Sequence, residues 1–252
     1  YEGLYSVSEE RFITQKEMEE GNFREIKKIK EKNYFFKMSK YKLKLIDHIK
    51  TNEEFILPKS RRNEILGFLN NDLNDLCISR PKSRLSWGIE LPFDKDYVTY
   101  VWFDALINYI SAIGYSDNEE KFNHYWPANY HLMAKDILTT HCVYWPTMLM
   151  SCNISLPKTI FAHGWWLIDD TKMSKSLGNV IKPLDLADKY GSDALRYYLM
   201  RNMVLGQDAS FTIDSFNERY NSDLANDYGN LVNRIIILIS KNFNDKIPKK
   251  NK

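Results

Sequence analysis

The stretch Tyr130-His131-Leu132-Met133-Ala134-Lys135-Asp136 decides the expected fold, because it is a short apolar run that ends on two charged residues. Its first five residues predict a β-strand. Residues 136–150 predict a helix with a kink at Pro146, and residues 159–162 predict a second strand. Strand, helix and strand in this order predict parallel pairing through a right-handed crossover.

The same alternation is expected one step earlier in the chain. Residues 97–103 are β-branched or aromatic, which is typical of a buried strand, and Asp104 is expected to cap a helix that ends at Gly114. Ligands of parallel sheets bind beyond the carboxyl ends of the strands, so three such ends are expected to face one crevice. They are Trp102 to Asp104, Lys135-Asp136 and His163-Gly164.

A loop of small polar residues and two lysines follows the last of these strands. It reads Lys172-Met173-Ser174-Lys175-Ser176, with Gly178-Asn179 close behind. Two lysine ammonium groups on flexible stems suit a polyphosphate, whose charge moves as the leaving group departs. A solvated turn is the alternative that the lysine spacing alone leaves open.

The remainder of the chain is predicted to be helical. Residues 183–190 form a helix that stops at Gly191, and Ser192 begins a second one. Ser215 and Glu218 have the spacing of a capping box. Apolar residues then recur at spacings of three and four, which predicts a long amphipathic helix. They are Leu224, Tyr228, Leu231, Ile235 and Leu238.

Composition indicates a globular chain without a membrane span. The chain has 252 residues, 44% hydrophobic residues and a net charge of +2, and its longest apolar run is far shorter than a bilayer requires. Residues 24–62 contain thirteen Lys and Arg against five Asp and Glu, a basic excess that would suit binding of a polyanion or simply a soluble surface.

Three cysteines without disulfide or zinc spacing indicate a reducing, cytoplasmic setting. Because the chain begins at Tyr1, an N-terminal part is expected to precede it.

Residues 172–176 match the second signature of class I aminoacyl-tRNA synthetases, and several other segments resemble the methionyl-tRNA synthetase family. These are residues 100–105, 134–137, His141 and Trp145-Pro146. The resemblance implies an α/β fold: the C-terminal half of a Rossmann-like parallel sheet with a connective insert, followed by an α-helical stem-contact and bundle region. The first signature of the class, H-x-G-H, does not occur in these residues.

The resemblance also implies four domains. Residues 1–60 correspond to the end of the connective insert, 61–175 to the second half of the catalytic domain, 176–220 to the stem-contact region and 221–252 to the start of a helical anticodon-binding domain. Many relatives carry zinc in the insert on C-x-x-C pairs. Because Ser6-Val7-Ser8 stands where such a pair would be, we expect no structural zinc.

The activity implied by the resemblance is methionine–tRNA ligation. Methionine and ATP, which brings Mg²⁺, form methionyl adenylate, and the methionyl group then passes to tRNA(Met). On this interpretation the chain supplies only part of the active site and is inactive alone. The side-chain pocket of the family maps onto six residues whose aromatic character suits an uncharged, polarisable thioether. They are Trp102, Ala105, Tyr109, Ile137, His141 and Trp145.

The resemblance assigns the nucleotide contacts as well. Glu90 and Asp136 correspond to ribose contacts, whereas His163, Gly164 and Trp166 correspond to the adenine edge. Lys175 is the implied catalytic phosphate clamp, with Lys172 beside it.

Other interpretations remain open at this stage. The helical spacing of Ala105 with Tyr109, and of Ile137 with His141 and Trp145, also fits an ordinary core stripe. Ala134 and Leu106 depart from residues common in the family. A class I synthetase for another apolar amino acid and a non-catalytic tRNA-binding module are the two alternative functions. The oligomeric state is open.

Overall fold

The computed structural model describes residues 2–6, 11–13, 18–19, 25–168, 171–173 and 178–247. The chain divides into two compact units, the first formed by residues 1–131 and 137–161 and the second by residues 132–136 and 162–252. Each unit has its own apolar core. Lys175, the strongest candidate of the sequence analysis, lies outside the described residues, as do Ser174 and Ser176.

The strands of the described residues are short. They are β1 (Glu2–Ser6), β2 (Arg11–Ile13), β3 (Ile26–Lys30), β4 (Phe35–Phe36), β5 (Ile56–Leu57), β6 (Leu76–Cys77), β7 (Ser79–Pro81), β8 (Glu90–Leu91), β9 (Asp94–Thr99), β10 (Tyr130–Ala134), β11 (Thr159–His163), β12 (Trp166–Ile168), β13 (Thr171–Lys172) and β14 (Ala209–Ser210).

Helices connect these strands and make up most of the C-terminal third. They are α1 (Lys42–Thr51), α2 (Lys59–Asn70), α3 (Val101–Ala105), α4 (Asn108–Ser111), α5 (Glu119–Tyr125), α6 (Trp145–Ser151), α7 (Pro183–Tyr190), α8 (Ser192–Asn202), α9 (Ile213–Arg219) and α10 (Asn230–Phe243). The described residues also include two π-helical segments, Thr140–Tyr144 and Tyr220–Gly229, and two 3₁₀ turns, Met38–Tyr41 and Lys135–Ile137.

The central sheet confirms the α/β fold class. Its order is β10-β11-β5, and β5 pairs with β11 in parallel. The two strands predicted at 130–134 and 159–162 are both present. Strand β5 was missed because two residues are too few to show a pattern in the sequence.

The strand predicted over residues 97–103 is wrong in its end and in its pairing. Strand β9 stops at Thr99, and Trp102 and Phe103 already belong to helix α3. Strand β9 pairs antiparallel with β7 and β8 instead of joining the parallel sheet. Aromatic residues are compatible with a helix as well as with a strand, so β-propensity alone does not decide the conformation of Trp102 and Phe103.

The helix predicted over 136–150 is interrupted. It begins as a 3₁₀ turn, is α-helical at residues 138–139, passes through the π-helical segment Thr140–Tyr144 and is α-helical again from Trp145. The kink expected at Pro146 is therefore a π turn placed just before the proline. A wider turn lets the chain continue where proline has no N–H and its ring would clash with an earlier carbonyl.

The helical C-terminal region is confirmed, with two corrections. The cap of α9 is Thr212, whose hydroxyl accepts a hydrogen bond from the Ser215 N–H, so Ser215 lies inside the helix. The long amphipathic helix is π-helical over Tyr220–Gly229 before α10 begins. Across the described segments, every helix is too short or too polar to cross a lipid bilayer.

Candidate functional site

Four side chains of the first unit form an aromatic cup: Tyr109, His131, His141 and Trp145. Tyr109 lies on α4, His131 on β10 and His141 in the π-helical segment, while Trp145 begins α6. His131, His141 and Trp145 are only 5%, 3% and 1% exposed. The ring of Tyr109 lies 4.2 Å from that of His131 and 6.0 Å from that of Trp145, centroid to centroid.

Hydrogen bonds determine which nitrogen of each imidazole carries the proton. His141 Nδ1 lies 3.0 Å from the carbonyl oxygen of Ile137 and therefore donates to it. Burial favours the neutral form of this ring, in which Nε2 accepts from the Tyr109 hydroxyl at 2.9 Å. The Trp145 indole N–H, which can only donate, points to His131 Nε2 at 3.3 Å. Both imidazoles are thus neutral, with the proton on Nδ1.

Burial keeps the cup uncharged. Burial, reinforced by repulsion from His141, lowers the pKa of His131 from 6.5 to about 4. Burial also lowers the pKa of His141, although the hydrogen bond to Ile137 opposes this, and it raises the pKa of the Tyr109 hydroxyl. An apolar ligand therefore meets aromatic surface without a full charge near neutral pH.

The structure brings together three of the six residues proposed for the methionine side chain. Tyr109, His141 and Trp145 belong to the cup. Trp102 instead lines a cavity of about 760 Å³ with Arg80 and Tyr100, and the cup residues are not among the described residues that line it. Ala105 and Ile137 lie outside the apolar core cluster that contains Trp145. Because α3 ends at Ala105 and α4 starts at Asn108, the predicted spacing on a single helix fails there.

A second group, the charged cluster, lies in the second unit and surrounds Trp165. Lys135 and Lys172 both place their ammonium nitrogens near the indole ring, 4.1 and 4.3 Å from its centroid. Lys135 pairs with Asp208 at 2.7 Å, and Lys172 pairs with Asp136 at 2.9 Å. The Trp165 backbone N–H donates to Asp208 at 2.8 Å. Each cation therefore has a carboxylate partner and also contacts the Trp165 ring.

Local backbone structure positions Lys172. It lies on β13, which pairs antiparallel with β12 so that Lys172 is opposite Leu167. Strand β12 in turn pairs in parallel with β14, next to Asp208. The predicted loop lysine is thus a strand residue.

Asp136 carries a stabilised negative charge. Burial raises its pKa, but the hydrogen bond from Lys172, together with those from its own backbone N–H and from Trp165, outweighs this effect, so the pKa lies below its ordinary value. Lys172 and Asp136 remain accessible, with side chains 49% and 41% exposed. A ligand with hydroxyl and phosphate groups could therefore exchange with both partners of this ion pair.

Gly164 has a structural explanation. A Cβ atom added there would lie 2.0 Å from the carbonyl oxygen of Gln207, so only glycine lets the two backbones approach. His163 Nδ1 donates to the Gly164 carbonyl at 2.7 Å. Trp166 packs against the core of the second unit, with its ring 6.0 Å from that of Tyr198. Their assignment to an adenine edge stays a prediction.

Glu90, the other proposed ribose contact, belongs to the first unit and is exposed. It pairs with Lys82 and, at 3.3 Å, with Lys95. The hydrogen bond from Lys82, followed by that from Lys95, lowers the pKa of its carboxyl. A ribose would have to compete with two ammonium groups for this carboxylate.

Sequence reasoning missed His131, Trp165 and Asp208 as members of these groups, whereas Lys135 was expected at the crevice together with Asp136. His131 carried a signal: it occupies an inward position of a strand in which exposed and buried residues alternate. Asp208 carried none, because it is 43 residues from Trp165. In the described ranges, no group of three or more His, Cys, Asp and Glu side chains is arranged to hold a metal ion.

Comparison with protein families gives a match to "tRNA synthetases class I (M)" over residues 4–236. Among curated proteins, the methionine–tRNA ligase of Clostridium tetani is 50% identical over 254 residues, and that of Halalkalibacterium halodurans is 47% identical over 265 residues. Each match covers 98% of this chain, but only 39% and 40% of the respective relative. The chain therefore spans about two fifths of the length of these relatives.

Solved structures give a matching result. A structure of Mycobacterium tuberculosis methionyl-tRNA synthetase in complex with methionyl-adenylate has a TM-score of 0.88 and 41% sequence identity. The match covers all of this chain and 51% of that one. An apo structure of the same enzyme has a TM-score of 0.85 at 39% identity.

Proposed function

Since the chain belongs to the family of class I tRNA synthetases designated M, we propose that it is part of a methionine–tRNA ligase. In the first reaction a carboxylate oxygen of methionine attacks the α-phosphorus of ATP, and the bond to pyrophosphate breaks with the electron pair leaving on pyrophosphate. In the second, the terminal ribose hydroxyl of tRNA(Met) attacks the methionyl carbonyl and releases AMP. The protein positions the reactants and neutralises charge.

The aromatic cup is the observation that carries the proposal. Its four rings are buried or half-buried, and its two imidazoles are neutral because burial lowers their pKa values. Such a surface suits a thioether, which is polarisable and weakly hydrated. It disfavours charged side chains, which would lose their hydration without gaining a partner.

The charged cluster supplies the proposed nucleotide contacts. Asp136 accepts hydrogen bonds from the ribose hydroxyls, and Lys172 and Lys175 bind the phosphate oxygens. Glu90 also accepts a hydrogen bond from the ribose, once its ion pairs with Lys82 and Lys95 are broken. Mg²⁺ arrives on the triphosphate oxygens, as is usual for an ion that sheds its water reluctantly. His163, Gly164 and Trp166 form the proposed adenine edge.

The proposed domain boundaries extend this assignment. Residues 176–220 contact the tRNA stem, and residues 221–252 begin the anticodon-binding domain; the segregation of helices α7 to α10 at this end of the chain supports both. Residues 1–60 end a connective insert without structural zinc. Three free cysteines, Cys77, Cys142 and Cys152, support a reducing cytoplasmic location.

The test is amino-acid-dependent ATP–pyrophosphate exchange by the full-length protein. We expect exchange with methionine and at least about a hundredfold lower kcat/KM with leucine, isoleucine or valine, since pocket shape and several methylene differences combine. Charging of tRNA(Met) should follow. Preference for another apolar amino acid would overturn the methionine assignment, whereas steeply salt-dependent tRNA binding without exchange would indicate a binding module.

A further inference from the structure

His131 is the member of the cup that was not proposed to bind methionine, and it contacts both Tyr109 and Trp145. It lies on β10 between exposed Tyr130 and Leu132, and it is 5% exposed. Aliphatic residues are the usual occupants of such an inward strand position. Burial of an imidazole at such a position destabilises the fold unless its ring nitrogens form hydrogen bonds that replace those to water.

His131 contacts both aromatic walls of the cup. Its Nε2 accepts the indole N–H of Trp145 at 3.3 Å, and its ring lies 4.2 Å from that of Tyr109. A third ring, Trp126, is 5.9 Å away. Tyr109 and Trp145 lie on different helices. The His131 imidazole connects them, because it contacts the Tyr109 ring and accepts the hydrogen bond of Trp145.

We propose that His131 is the positioning residue of the cup: it holds Trp145 through the indole hydrogen bond and Tyr109 through ring contact, and thereby sets the width available to a thioether side chain. That the ligand is methionine rests on the proposed function, whereas the contacts of His131 do not depend on it. His131 itself needs no contact with methionine, because it acts through the two walls.

The energetic reason lies in the buried indole N–H. An N–H donor that is buried without an acceptor is destabilised by the loss of its water, so without His131 the indole would rotate towards another acceptor. Because Trp145 is 1% exposed, such a rotation would displace its neighbours. Neutral His131 provides the acceptor and the apolar ring face at once.

The experiment compares His131→Gln with His131→Asn in the full-length protein. The Gln side-chain oxygen reaches the position of Nε2, whereas the shorter Asn oxygen does not. We expect His131→Asn to raise the KM for methionine at least tenfold in pyrophosphate exchange, with kcat and the KM for ATP within twofold. His131→Gln keeps the acceptor for Trp145 but loses the ring contact with Tyr109, so its methionine KM should rise less than that of His131→Asn, by no more than about threefold, with kcat and the KM for ATP unchanged.

Norleucine, which replaces the sulfur by a methylene, adds a specificity readout. His131→Asn should narrow the preference for methionine over norleucine, and His131→Gln should preserve it. His48→Gln is the matched control, because His48 is a half-buried histidine of the same unit that contacts Phe55; it should leave every constant unchanged.

Several outcomes would overturn the proposal. They are an unchanged methionine KM in His131→Asn, equal impairment of the two variants, or an equal rise in the KM for ATP. If His131→Asn does not fold, a tenfold rise in the methionine KM of His131→Gln rejects the role.

A second readout does not depend on activity. In ¹⁵N-tryptophan-labelled protein, the indole resonance of Trp145, assigned through its loss in Trp145→Phe, should keep its position in His131→Gln and move in His131→Asn. An unmoved resonance in His131→Asn rejects the hydrogen-bonding role. Absence of methionine-dependent exchange in the wild type would reject the proposed function instead, and the resonance would still decide the role of His131.

Discussion

The aromatic cup of the first unit is buried and neutral, whereas the charged cluster of the second unit is half-exposed and pairs each of its lysines with a carboxylate. In the cup, burial suppresses ionisation and the rings hold one another through hydrogen bonds inside the protein. In the cluster, the ion pairs face water, where each is worth little, about 1 kcal/mol or less. The cup is therefore expected to keep its conformation when a ligand binds, whereas the side chains of the cluster are expected to exchange their ion-pair partners for ligand groups.

This difference teaches how the two regions should respond to mutation. Changes in the cup should affect stability and amino-acid choice together, because the same contacts serve both. Changes in the cluster should affect nucleotide use with little loss of stability. Four predictions test the contrast, beginning with the largest effect.

Removal of the proposed phosphate clamp should have the largest effect. Lys175→Ala in the full-length protein should lower kcat for pyrophosphate exchange about 10²- to 10³-fold, because one charge-stabilising donor is lost in the transition state. The KM for methionine should change less than twofold. Lys189→Ala removes an exposed lysine of α7 as a control and should be neutral. Unaltered exchange in Lys175→Ala would refute the assignment.

The two tryptophans at the centres of the regions give a matched pair. Trp145→Ala should lower the free energy of unfolding by about 3–5 kcal/mol, because a fully buried ring leaves a cavity. Trp165→Ala should lower it by only about 1 kcal/mol, the loss of two exposed cation–π contacts. Urea denaturation followed by circular dichroism measures both. Equal losses would erase the proposed contrast between the regions.

Asp136→Asn tests the cluster without removing bulk. The KM for ATP should rise roughly tenfold, since hydrogen bonds to a charged carboxylate are worth more than those to an amide. The KM for methionine should stay within twofold. Asp185→Asn, on the first turn of α7, is the control. A larger effect on methionine than on ATP would place Asp136 in a different role.

Acid should destabilise the cup through His131. Its pKa is about 4 in the folded protein and 6.5 when unperturbed, so between these values the unfolded chain binds a proton that the folded chain does not. The free energy of unfolding must then fall as the pH drops from 7 towards 4. In His131→Gln the fall in urea midpoint between pH 7 and pH 5, measured by tryptophan fluorescence, should be smaller. An identical fall would show that the pKa of His131 does not differ between the folded and unfolded chains.

Much of the fold could be predicted from local sequence. Strands β10 and β11 and helices α7 and α8 were predicted within one or two residues, because short apolar runs and the stop at Gly191 are local signals. The end of strand β9 was not, since the aromatic residues Trp102 and Phe103 that follow it are compatible with a strand or a helix. The π turn before Pro146 was also missed, because it depends on the packing of this helix as well as on proline.

The candidate site divides in the same way. The resemblance to the synthetase family assigned Tyr109, His141 and Trp145, since their residue types and helical spacing alone also fit an ordinary core stripe. His131 was missed although the alternation of its strand places it at an inward position, and Asp208 was missed because its partner Lys135 is 73 residues away.

The sequence by itself determined the chemical types available: aromatic rings near a histidine, paired lysines in a polar loop, and apolar runs that form strands or helices. Only the tertiary structure decided which groups interact. Lys172 pairs with Asp136 and contacts the Trp165 ring. Trp145 donates a hydrogen bond to His131, and Gly164 allows the close approach of the Gln207 backbone. The physical reason is that helix and strand propensities act between neighbours in the chain, whereas burial, ion pairing and pKa values depend on groups that only folding brings within a few ångströms.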